Sequence, residues 1–381
     1  MRKIAVITGT RADYGILKSV LKEIEANKEL QLSLIVSGMH LSSEFGYTID
    51  EIEKDGFKIE AKIAALHRED TRASMAKSLG ECLSRTAEAL EKIGPHILLV
   101  LGDRGEMLAS AVAATYMGIP IAHIHGGDVS GNVDEPARHA ITKLAHIHFT
   151  ATGESAKRIR RMGEEPWRVL VVGAPGLDPI LSGKVPEPKE IATRYRLDSS
   201  KPVLLVLQHS IVTEAEDAPS QIRQTLEAIK ELKFQSVLIY PNADAGGRRM
   251  IRVIKEYEKR RFLKTFKSVS HEDYLGLMRL ASVMVGNSSS GIIEAPSFGL
   301  PVVNIGTRQI GRQRAENVID VGYDRNEIAK AVKKALFDQK FREKVKLCKN
   351  PYGDGRAGTR IVRVLSEIEL GNKLLEKRMM Y

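Results

Sequence analysis

Six short segments of the sequence place acidic, histidine, serine or glycine residues directly after apolar, β-branched runs. They are residues 8–15, 102–106, 123–128, 208–210, 241–244 and 286–291. In parallel α/β sheets, ligands bind beyond the carboxyl ends of the strands, so residues that follow different strands meet at one edge. Carboxylates and imidazoles transfer protons near neutral pH, and glycine- and serine-rich turns bind phosphate. The sequence therefore predicts one site that combines proton transfer with binding of an anionic ligand.

The segment 286–291 reads Gly-Asn-Ser-Ser-Ser-Gly and joins a predicted strand to a helix that begins near Ser289. Free backbone N–H groups at the start of a helix, with the hydroxyls of Ser288 and Ser290 beside them, suit a phosphate. A simple N-cap role for Ser289 in an ordinary turn fits this pattern equally well. Glu294 follows one turn later, where its carboxylate either accepts hydrogen bonds from ribose hydroxyls or complements the helix dipole.

Two charged residues follow the first and third predicted strands. The segment 9–15 lacks both the GxGxxG spacing and the GK[ST] ending of a P-loop, so we predict a loop in which Arg11 contacts a diphosphate through two hydrogen bonds. A surface arginine beside a turn is the alternative. Asp103 ends an almost wholly apolar strand, where a carboxylate is either the N-cap of the next helix or a residue of the site.

Half of the ten histidines lie between residues 123 and 148, together with Asp128 and Asp134. His123 and His125 are two residues apart on a predicted strand and would share one face, so a metal site is geometrically possible. A His-x-His pair with nearby acids lacks the fuller ligand set of known metal motifs, and hydrogen bonding or proton transfer explains it equally well. We therefore predict no metal, and we interpret the second His-x-His pair of the segment as structural.

Short apolar runs alternate with amphipathic stretches along the whole chain, which is typical of βαβ units. Strands are predicted at residues 3–8, 32–37, 96–101, 121–125, 147–151 and 169–172 in the first half, and at 203–207, 236–240, 283–285 and 302–305 in the second. Helices are predicted at residues 16–26, 71–93, 106–117, 219–232, 247–258, 272–280, 292–298 and 327–337. The predicted fold class is α/β, with two Rossmann-like domains and the ligand in the cleft between them.

A polar, proline-rich stretch near residues 180–200 predicts the linker between an N-terminal domain, residues 1–180, and a C-terminal domain, residues 200–358. The tail, residues 359–381, is predicted to form one helix that packs back on the first domain, as in many two-domain glycosyltransferase-like folds. Its apolar stripe consists of Ile361, Leu365, Ile368, Leu370 and Leu374.

The composition argues against several classes of protein. The net charge is +10, but the basic residues are spread along the chain and aromatic residues form only 5%, so we predict no nucleic-acid partner. An anionic small-molecule substrate or a solvated basic surface explains the charge instead. Cys82 and Cys348 lie far apart, and no apolar run reaches the length of a signal-peptide core or a membrane span. We therefore expect a cytoplasmic protein with no membrane partner.

Taken together and in order, these segments resemble the hydrolysing UDP-N-acetylglucosamine 2-epimerases of sialic-acid-type pathways. The resemblance rests on residues 8–15, 101–106, 123–131, 138–146, 240–246, 286–295 and 304–312, and on Asp134. It implies a GT-B-like fold whose second domain holds most of the nucleotide. It also implies that a UDP-sugar and water give UDP and the free 2-epimeric sugar through a glycal, with no cofactor or metal. A homodimer or a dimer of dimers is the expected assembly.

The resemblance also assigns roles to individual residues. Asp103 and Asp134 match acid/base carboxylates of the family, and His209 matches a histidine expected beside the diphosphate and C1. The contacts to phosphate, diphosphate and ribose fall on Arg11, Ser288, Ser289, Ser290, Gly291 and Glu294. Further matching segments carry Asn242, Asp244 and Arg308, which are expected to contact the substrate without a defined role.

The chain departs from the family pattern at His125 and Asp128, and it also lacks the proline that commonly follows the histidine matched by His209. Some members carry a glutamate where this chain has His125, and another glutamate where it has Asp128. Either His125 or Asp128 takes over proton transfer, or the substrate differs, with UDP-N,N′-diacetylbacillosamine as the alternative to UDP-N-acetylglucosamine. A non-hydrolysing 2-epimerase, a GT-B glycosyltransferase and an inactive UDP-sugar sensor are further alternatives. The Arg-Ala-Asp-Tyr-Gly and His-Gly-Gly segments favour the hydrolysing reaction.

Overall fold

The computed structural model describes residues 1–130 and 133–380 and contains two parallel β-sheets. The strands are β1 (Arg2–Thr8), β2 (Leu30–Ser37), β3 (Ile59–Ile63), β4 (Ile97–Leu101), β5 (Ile121–Ile124), β6 (Ile147–Thr150), β7 (Val169–Val171), β8 (Val203–Leu207), β9 (Gln235–Ile239), β10 (Leu263–Phe266), β11 (Val283–Gly286), β12 (Val302–Ile305) and β13 (Val318–Val321). The first sheet has the order β3-β2-β1-β4-β5-β6-β7, and the second has the order β10-β9-β8-β11-β12-β13.

Helices connect the consecutive strands of both sheets, except β12 and β13, and cover the sheets. They are α1 (Arg11–Ala26), α2 (Ile49–Lys54), α3 (Arg72–Ile93), α4 (Gly105–Tyr116), α5 (Asp134–Leu144), α6 (Gly153–Arg161), α7 (Asp178–Leu181), α8 (Pro188–Arg194), α9 (Ala218–Leu232), α10 (Gly247–Lys255), α11 (His271–Leu280), α12 (Ser290–Ile293), α13 (Arg325–Phe337), α14 (Gln339–Leu347), α15 (Ala357–Glu367) and α16 (Asn372–Leu375). The predicted fold class, two Rossmann-like units in a GT-B-like arrangement, is confirmed. Among the described residues, none of the helices has the length and apolarity needed to span a membrane.

The strands that sequence reasoning missed are β3, β10 and β13, and all three lie at the edges of the sheets. Central strands such as β4 and β8 are buried at every residue because helices cover both of their faces. The three missed strands bury at most one residue each, Ile63 in β3 and Leu263 in β10. They therefore lack the continuous apolar run by which the central strands were predicted.

The predicted loop at residues 9–15 is wrong, because α1 already begins at Arg11. Thr10 is the N-cap, and its hydroxyl accepts a hydrogen bond from the N–H of Asp13 at 3.3 Å. A threonine at this position satisfies one of the free N–H groups of the first helical turn. Arg11 therefore stands on the first turn of a helix, directly behind the carboxyl end of β1.

Residues 180–200, the predicted linker, contain α8, and its Ile191 packs with Leu205 and Leu275 against the second sheet. The tail does not form one helix. It forms α15 and the short α16, and Ile361 and Leu374 share a buried cluster with strands of the first sheet. Gly131, in one of the segments that carry the family resemblance, and Tyr381 at the end of the tail lie outside the described residues.

Candidate active site

Polar loops of both sheets line one cleft, at equivalent places in the two strand orders. In each sheet the first and fourth strands are neighbours, β1 with β4 and β8 with β11, and the chain leaves this point in opposite directions. Such a switch point opens a crevice at the carboxyl ends of the strands. A cleft between the two halves is lined from both crevices, and every predicted site residue lines it except Asp244 and Gly291.

On the first-sheet side, Asp103 follows β4 and is held by an arginine. Its Oδ2 accepts a hydrogen bond from Nη2 of Arg138 on α5. Arg138 is only 1% exposed, and it also donates to the carbonyl of Asp128 at 2.9 Å and to Oγ of Ser130 at 3.0 Å. Charge-assisted hydrogen bonds of this kind favour the ionised carboxylate and fix its orientation.

His125 does not continue the preceding strand, because β5 ends at Ile124. Its φ is +64°, which is uncommon for a residue other than glycine. The two rings of the His-x-His pair therefore have different surroundings. His123 donates Nε2–H to the carbonyl of Gly102 at 2.7 Å, whereas His125 lines the cleft, and its Nε2 has no hydrogen-bond partner among the described residues. Burial lowers the pKa of His125, and the Asp128 carboxylate opposes that shift.

Asp128 and Asp134 bring two more carboxylates into the cleft. Oδ1 of Asp128 accepts a hydrogen bond from Ser155 Oγ at 2.7 Å, whereas its Oδ2 is buried and has no hydrogen-bond partner in the part of the chain that is described. Asp134 is the first residue of α5, where the helix dipole favours a negative charge. Its Oδ2 lies 3.8 Å from Nη2 of Arg308, so this pair links the two halves across the cleft.

Asp13, in the first turn of α1, is a further carboxyl group of the cleft that sequence reasoning missed. Burial raises its pKa to about 6, and the Arg104 guanidinium opposes that shift. Its Oδ2 is buried without a hydrogen-bond partner among residues 1–130 and 133–380. A carboxyl group with a pKa near neutrality can both donate and accept a proton, so Asp13 joins the candidate acids.

On the second-sheet side, His209 follows β8 and is fixed by its neighbours. Its Nδ1 accepts a hydrogen bond from the N–H of Asn242 at 3.2 Å, and its backbone pairs with the side-chain amide of Asn287 at 2.7 and 2.9 Å. Because Nδ1 is an acceptor, the proton of the neutral ring lies on Nε2, which is then the donor available to a ligand. Burial lowers the pKa of His209 well below its ordinary value, and the cations Arg308 and Arg11 lower it further.

The serine loop after β11 presents hydroxyl groups to the cleft. Oγ of Ser290 lies 2.8 Å from Oγ of Ser288 and also forms a hydrogen bond with the hydroxyl of Tyr274. Ser289 occupies the N-cap position of α12, but its side chain makes no capping hydrogen bond, so the simple capping interpretation is wrong. Gly291 has a packing role, because a Cβ there would lie 2.9 Å from Cγ1 of Val302.

Glu294 directly follows α12 and is therefore not one turn inside a longer helix. It is 5% exposed and lines the cleft, and burial raises the pKa of its carboxyl group to about 7, with Arg312 opposing that shift. Gly176 leaves room for this carboxyl group, since a Cβ there would lie 2.6 Å from Oε1 of Glu294. The carboxyl oxygens of Glu294 can accept hydrogen bonds from ligand hydroxyls.

Cations from both halves line the cleft, among them Arg11, Arg308 and Arg312. Burial lowers the pKa of Arg11 and of Arg308. Nη1 of Arg308 donates to the carbonyl of Asn287 at 3.2 Å, while its Nε is buried and has no hydrogen-bond partner within the described ranges. Guanidinium groups that are desolvated in this way suit an anionic ligand such as a diphosphate.

Asp244 and His148 lie outside the cleft. Oδ1 of Asp244 lies 3.4 Å from Nη2 of Arg104, and Asp244 lines a smaller pocket, whereas Arg104 lines both this pocket and the main cleft. His148 pairs with Glu164 at 3.2 Å in a fully buried contact, which agrees with a structural role. In residues 1–130 and 133–380, no group of three or more His, Cys, Asp or Glu side chains is placed to hold a metal ion.

Sequence reasoning assigned no role to Arg138, Arg312 or Tyr274, which also line the cleft. Arg138 follows Asp134 by four residues, and this spacing places both side chains on one face of a helix. A helix prediction for residues 134–144 would therefore have found it. Tyr274 has no such signal, because only the packing of α11 beside the serine loop brings its hydroxyl to Ser290.

Fold and cleft together define a GT-B-like protein with carboxyl groups lining the cleft on one half and serine hydroxyls on the other. Comparison with known proteins identifies the family. The sequence pattern of the UDP-N-acetylglucosamine 2-epimerase family matches residues 22–366, so the chain belongs to that family.

Three relatives are similar over most of the chain. A UDP-N,N′-diacetylbacillosamine 2-epimerase (hydrolyzing) of Legionella pneumophila is 40% identical over 377 residues, 99% of each chain. A GDP/UDP-N,N′-diacetylbacillosamine 2-epimerase (hydrolyzing) of Campylobacter jejuni is 36% identical over 84% of each chain. A UDP-N-acetylglucosamine 2-epimerase of Neisseria meningitidis is 33% identical over 99% of this chain and 98% of its own. The predicted membership of the hydrolysing family is thereby confirmed.

Solved structures support the fold. S. aureus MnaA, in its co-structure with UDP, superposes with a TM-score of 0.79 at 21% identity and full coverage of both chains. A UDP-GlcNAc 2-epimerase from Neisseria meningitidis, bound to UDP-GlcNAc, superposes with a TM-score of 0.78 at 19% identity, over 96% of this chain and 99% of that one.

Proposed function

We propose that the protein is a hydrolysing 2-epimerase whose substrate is UDP-N,N′-diacetylbacillosamine. The observation that carries this proposal is the 40% identity with the Legionella pneumophila enzyme of that name, against 33% with the Neisseria meningitidis UDP-N-acetylglucosamine 2-epimerase, both over 99% of the chain. The Campylobacter jejuni relative supports the same sugar. UDP-N-acetylglucosamine, the substrate expected first from the sequence, is the second candidate, and it rests on the Neisseria meningitidis relative.

The proposed reaction has two stages. A base in the cleft removes the proton at C2, the C1–O bond to the diphosphate breaks, and a C1–C2 double bond forms as UDP leaves with the electron pair. Water then adds its hydroxyl group at C1, and a proton returns to C2 on the opposite face of the ring. Two proton-transfer groups on opposite sides of the sugar are therefore needed, along with donors that stabilise the departing UDP.

The first half supplies the proton-transfer groups in this proposal. Asp103 is the C2 base, because Arg138 orients its carboxylate and favours the ionised form. Asp134 acts on the other side of the sugar, near Arg308 of the second half. His125 and Asp128 occupy the positions where some family members have glutamates. Burial lowers the pKa of His125, so this ring is neutral near pH 7 and is suited to contact the sugar substituents through hydrogen bonds.

The second half holds most of the nucleotide in this proposal, and Arg11 of the first half adds one cation. Nε2–H of His209 donates to the diphosphate oxygen next to C1, and Arg11 and Arg308 neutralise the charge that develops there. The hydroxyls of Ser288 and Ser290 bind the phosphates. Glu294 accepts hydrogen bonds from the ribose hydroxyls, in a place where Gly176 leaves room. Asn242 orients His209 through its backbone N–H.

A competition experiment tests the choice of substrate. The purified protein is given equal amounts of UDP-N,N′-diacetylbacillosamine and UDP-N-acetylglucosamine, without added metal, and the free sugars are followed by proton NMR. The proposal predicts faster release of the free manno-configured 2,4-diacetamido sugar. Faster release of N-acetylmannosamine would transfer the assignment to the second candidate.

The same reaction mixture separates the remaining alternatives. A 2-epimeric sugar that stays on UDP would indicate the non-hydrolysing reaction. UDP binding without turnover of either substrate would contradict the epimerase proposal and favour a transferase or a sensor. A homodimer stays a prediction, which light scattering on the purified protein would test.

A further inference from the structure

Arg138 connects its own helix, α5, to the loops that follow β4 and β5, on the side of the cleft that carries Asp103, Asp128 and Asp134 (the acid side). One guanidinium group on α5 contacts the carboxylate of Asp103 behind β4 and the carbonyl of Asp128 behind β5. It also donates to the hydroxyl of Ser130 at 3.0 Å. These partners use both terminal nitrogens, so the plane of the guanidinium group is fixed with respect to both loops.

The position of Arg138 on its helix adds a fourth group. Asp134 precedes it by one turn of α5, so the helix that carries Arg138 also sets the place of that carboxylate. Two more arginines, Arg308 and Arg312, face Arg138 from the second half, so three cations meet at this corner of the cleft. Asp103 is the carboxylate to which Arg138 binds directly.

We propose that Arg138 is a positioning residue of the 2-epimerase reaction, which aims the Asp103 carboxylate at C2 and keeps it ionised. This inference rests on the proposed function, in which Asp103 is the base. Arg138 acts through Asp103 and takes no proton itself. Lysine cannot replace it fully, because an ammonium group is a point charge and cannot hold a carboxylate, a carbonyl and a hydroxyl in one plane.

The pH profile of turnover is the readout that a purely structural arginine would not change. Removal of a cation beside a carboxylate favours the protonated form of that carboxylate. In Arg138→Ala, kcat is expected to fall about 10²-fold, the scale of a misplaced general base, and the acid limb of the kcat profile to move to higher pH. The dissociation constant of UDP is expected to stay unchanged, because Arg138 is not among the residues proposed to contact UDP.

Chemical rescue provides a second readout on the same variant. Truncation to alanine leaves space for a free guanidinium ion, so added guanidinium chloride at millimolar concentration is expected to restore part of kcat in a saturable way. Arg138→Lys is expected to lie between the wild type and Arg138→Ala. Ser130→Ala, which removes one partner of Arg138 and leaves its charge, is expected to reduce kcat by a smaller factor.

Arg168 is a matched control. It is an equally buried arginine of the first half that holds the tail through backbone carbonyls such as that of Leu374 (2.8 Å) and lies outside the cleft. Arg168→Ala is expected to lower the melting temperature without a shift of the acid limb and without rescue by guanidinium.

Three results would overturn the inference. One is wild-type kcat in folded Arg138→Ala. Another is a kcat loss with an unchanged acid limb and no rescue. The third is equal rescue of Arg168→Ala. Asp103→Asn separates this failure from failure of the proposed function, because wild-type turnover in that variant would remove Asp103 from the mechanism whatever Arg138 does.

Discussion

The two sheets of the molecule have the same strand order but present different chemistry at the same point. Behind β1, β4 and β5, the first sheet presents the carboxyl groups of Asp13, Asp103 and Asp128. A buried arginine, Arg138, binds the carboxylate of Asp103 and the backbone carbonyl of Asp128. Behind β8 and β11, the second sheet presents serine hydroxyls and a histidine, His209, that is fixed by Asn287 and Asn242. Strand order therefore determines where the site lies, and the loops determine what each side of it does.

The two sides of the cleft are therefore expected to have different roles. The acid side is expected to govern the proton-transfer steps, and the hydroxyl side is expected to govern nucleotide binding and departure. Substitution of the proposed base should therefore change kcat, and substitution of a serine that binds phosphate should change the affinity for UDP. The opposite result for either residue would weaken the comparison.

The largest effect is expected for Asp103→Asn. Loss of the proposed base should lower kcat about 10³-fold, because a positioned general base contributes on this scale. UDP affinity, measured by calorimetry, should stay at the wild-type value. Glu190→Gln removes an exposed carboxylate on α8 and should leave both constants unchanged. A loss of UDP affinity in Asp103→Asn would contradict the expectation that this side of the cleft governs proton transfer and not nucleotide binding.

His209→Gln tests whether His209 assists the departure of UDP from C1 of the sugar. The neutral ring donates from Nε2 to the leaving diphosphate in our proposal, and loss of one such donor typically lowers kcat about 10²-fold. His96→Gln, at an exposed histidine in front of β4, is the control. Exchange of the C2 proton for deuterium from solvent shows whether proton transfer at C2 still occurs when the departure of UDP is slowed. Unchanged kcat in His209→Gln would remove this residue from the departure of UDP.

Ser290→Ala should affect binding rather than turnover. A hydrogen bond to a charged group contributes about 1.5–3 kcal/mol, so the affinity for UDP should fall roughly 10-fold or more. The kcat at saturating substrate should change little, because the hydroxyl contacts the same phosphates before and during departure. A lower kcat with unchanged UDP affinity would show that Ser290 acts in turnover rather than in nucleotide binding, and would contradict this prediction.

A further effect concerns the stability of the ligand-free protein. Burial raises the pKa of Glu294 to about 7 in the folded protein, whereas an unperturbed glutamate titrates near pH ~4.3. The folded state therefore binds more protons between these values, and the free energy of unfolding falls as the pH rises through this window. Glu294→Gln removes the titration, so its melting temperature relative to the wild type should rise from about pH 5 to about pH 8. A difference in melting temperature between the two proteins that stays constant across that pH range would contradict the raised pKa of Glu294.

The sequence predicted the central strands, because each is a short apolar run that is buried on both faces. It did not predict β3, β10 and β13, because edge strands contact water and carry mixed side chains. Their absence from the prediction did not affect the site, since both switch points lie at central strands.

The candidate site was predicted to the extent that its residues directly follow strands. Asp103 and His209 belong to this group, since each stands behind a buried strand. His125 was correctly predicted to belong to the site but wrongly predicted to lie on a strand, because its backbone has a positive φ and begins the loop after β5. Arg138 was missed because no helix was predicted over residues 134–144. Its contact with Asp103 joins residues 35 positions apart, through the packing of α5 against the β4 loop.

One isotope experiment tests the central claim most directly. The protein turns over UDP-N,N′-diacetylbacillosamine in D2O, and in a parallel sample in H2¹⁸O, and the products are examined by NMR and mass spectrometry. The account predicts a free 2-epimeric sugar with deuterium at C2 and UDP without ¹⁸O, because the C1–O bond breaks. Release of UDP that carries ¹⁸O, or of a sugar that keeps its C2 proton, would contradict it.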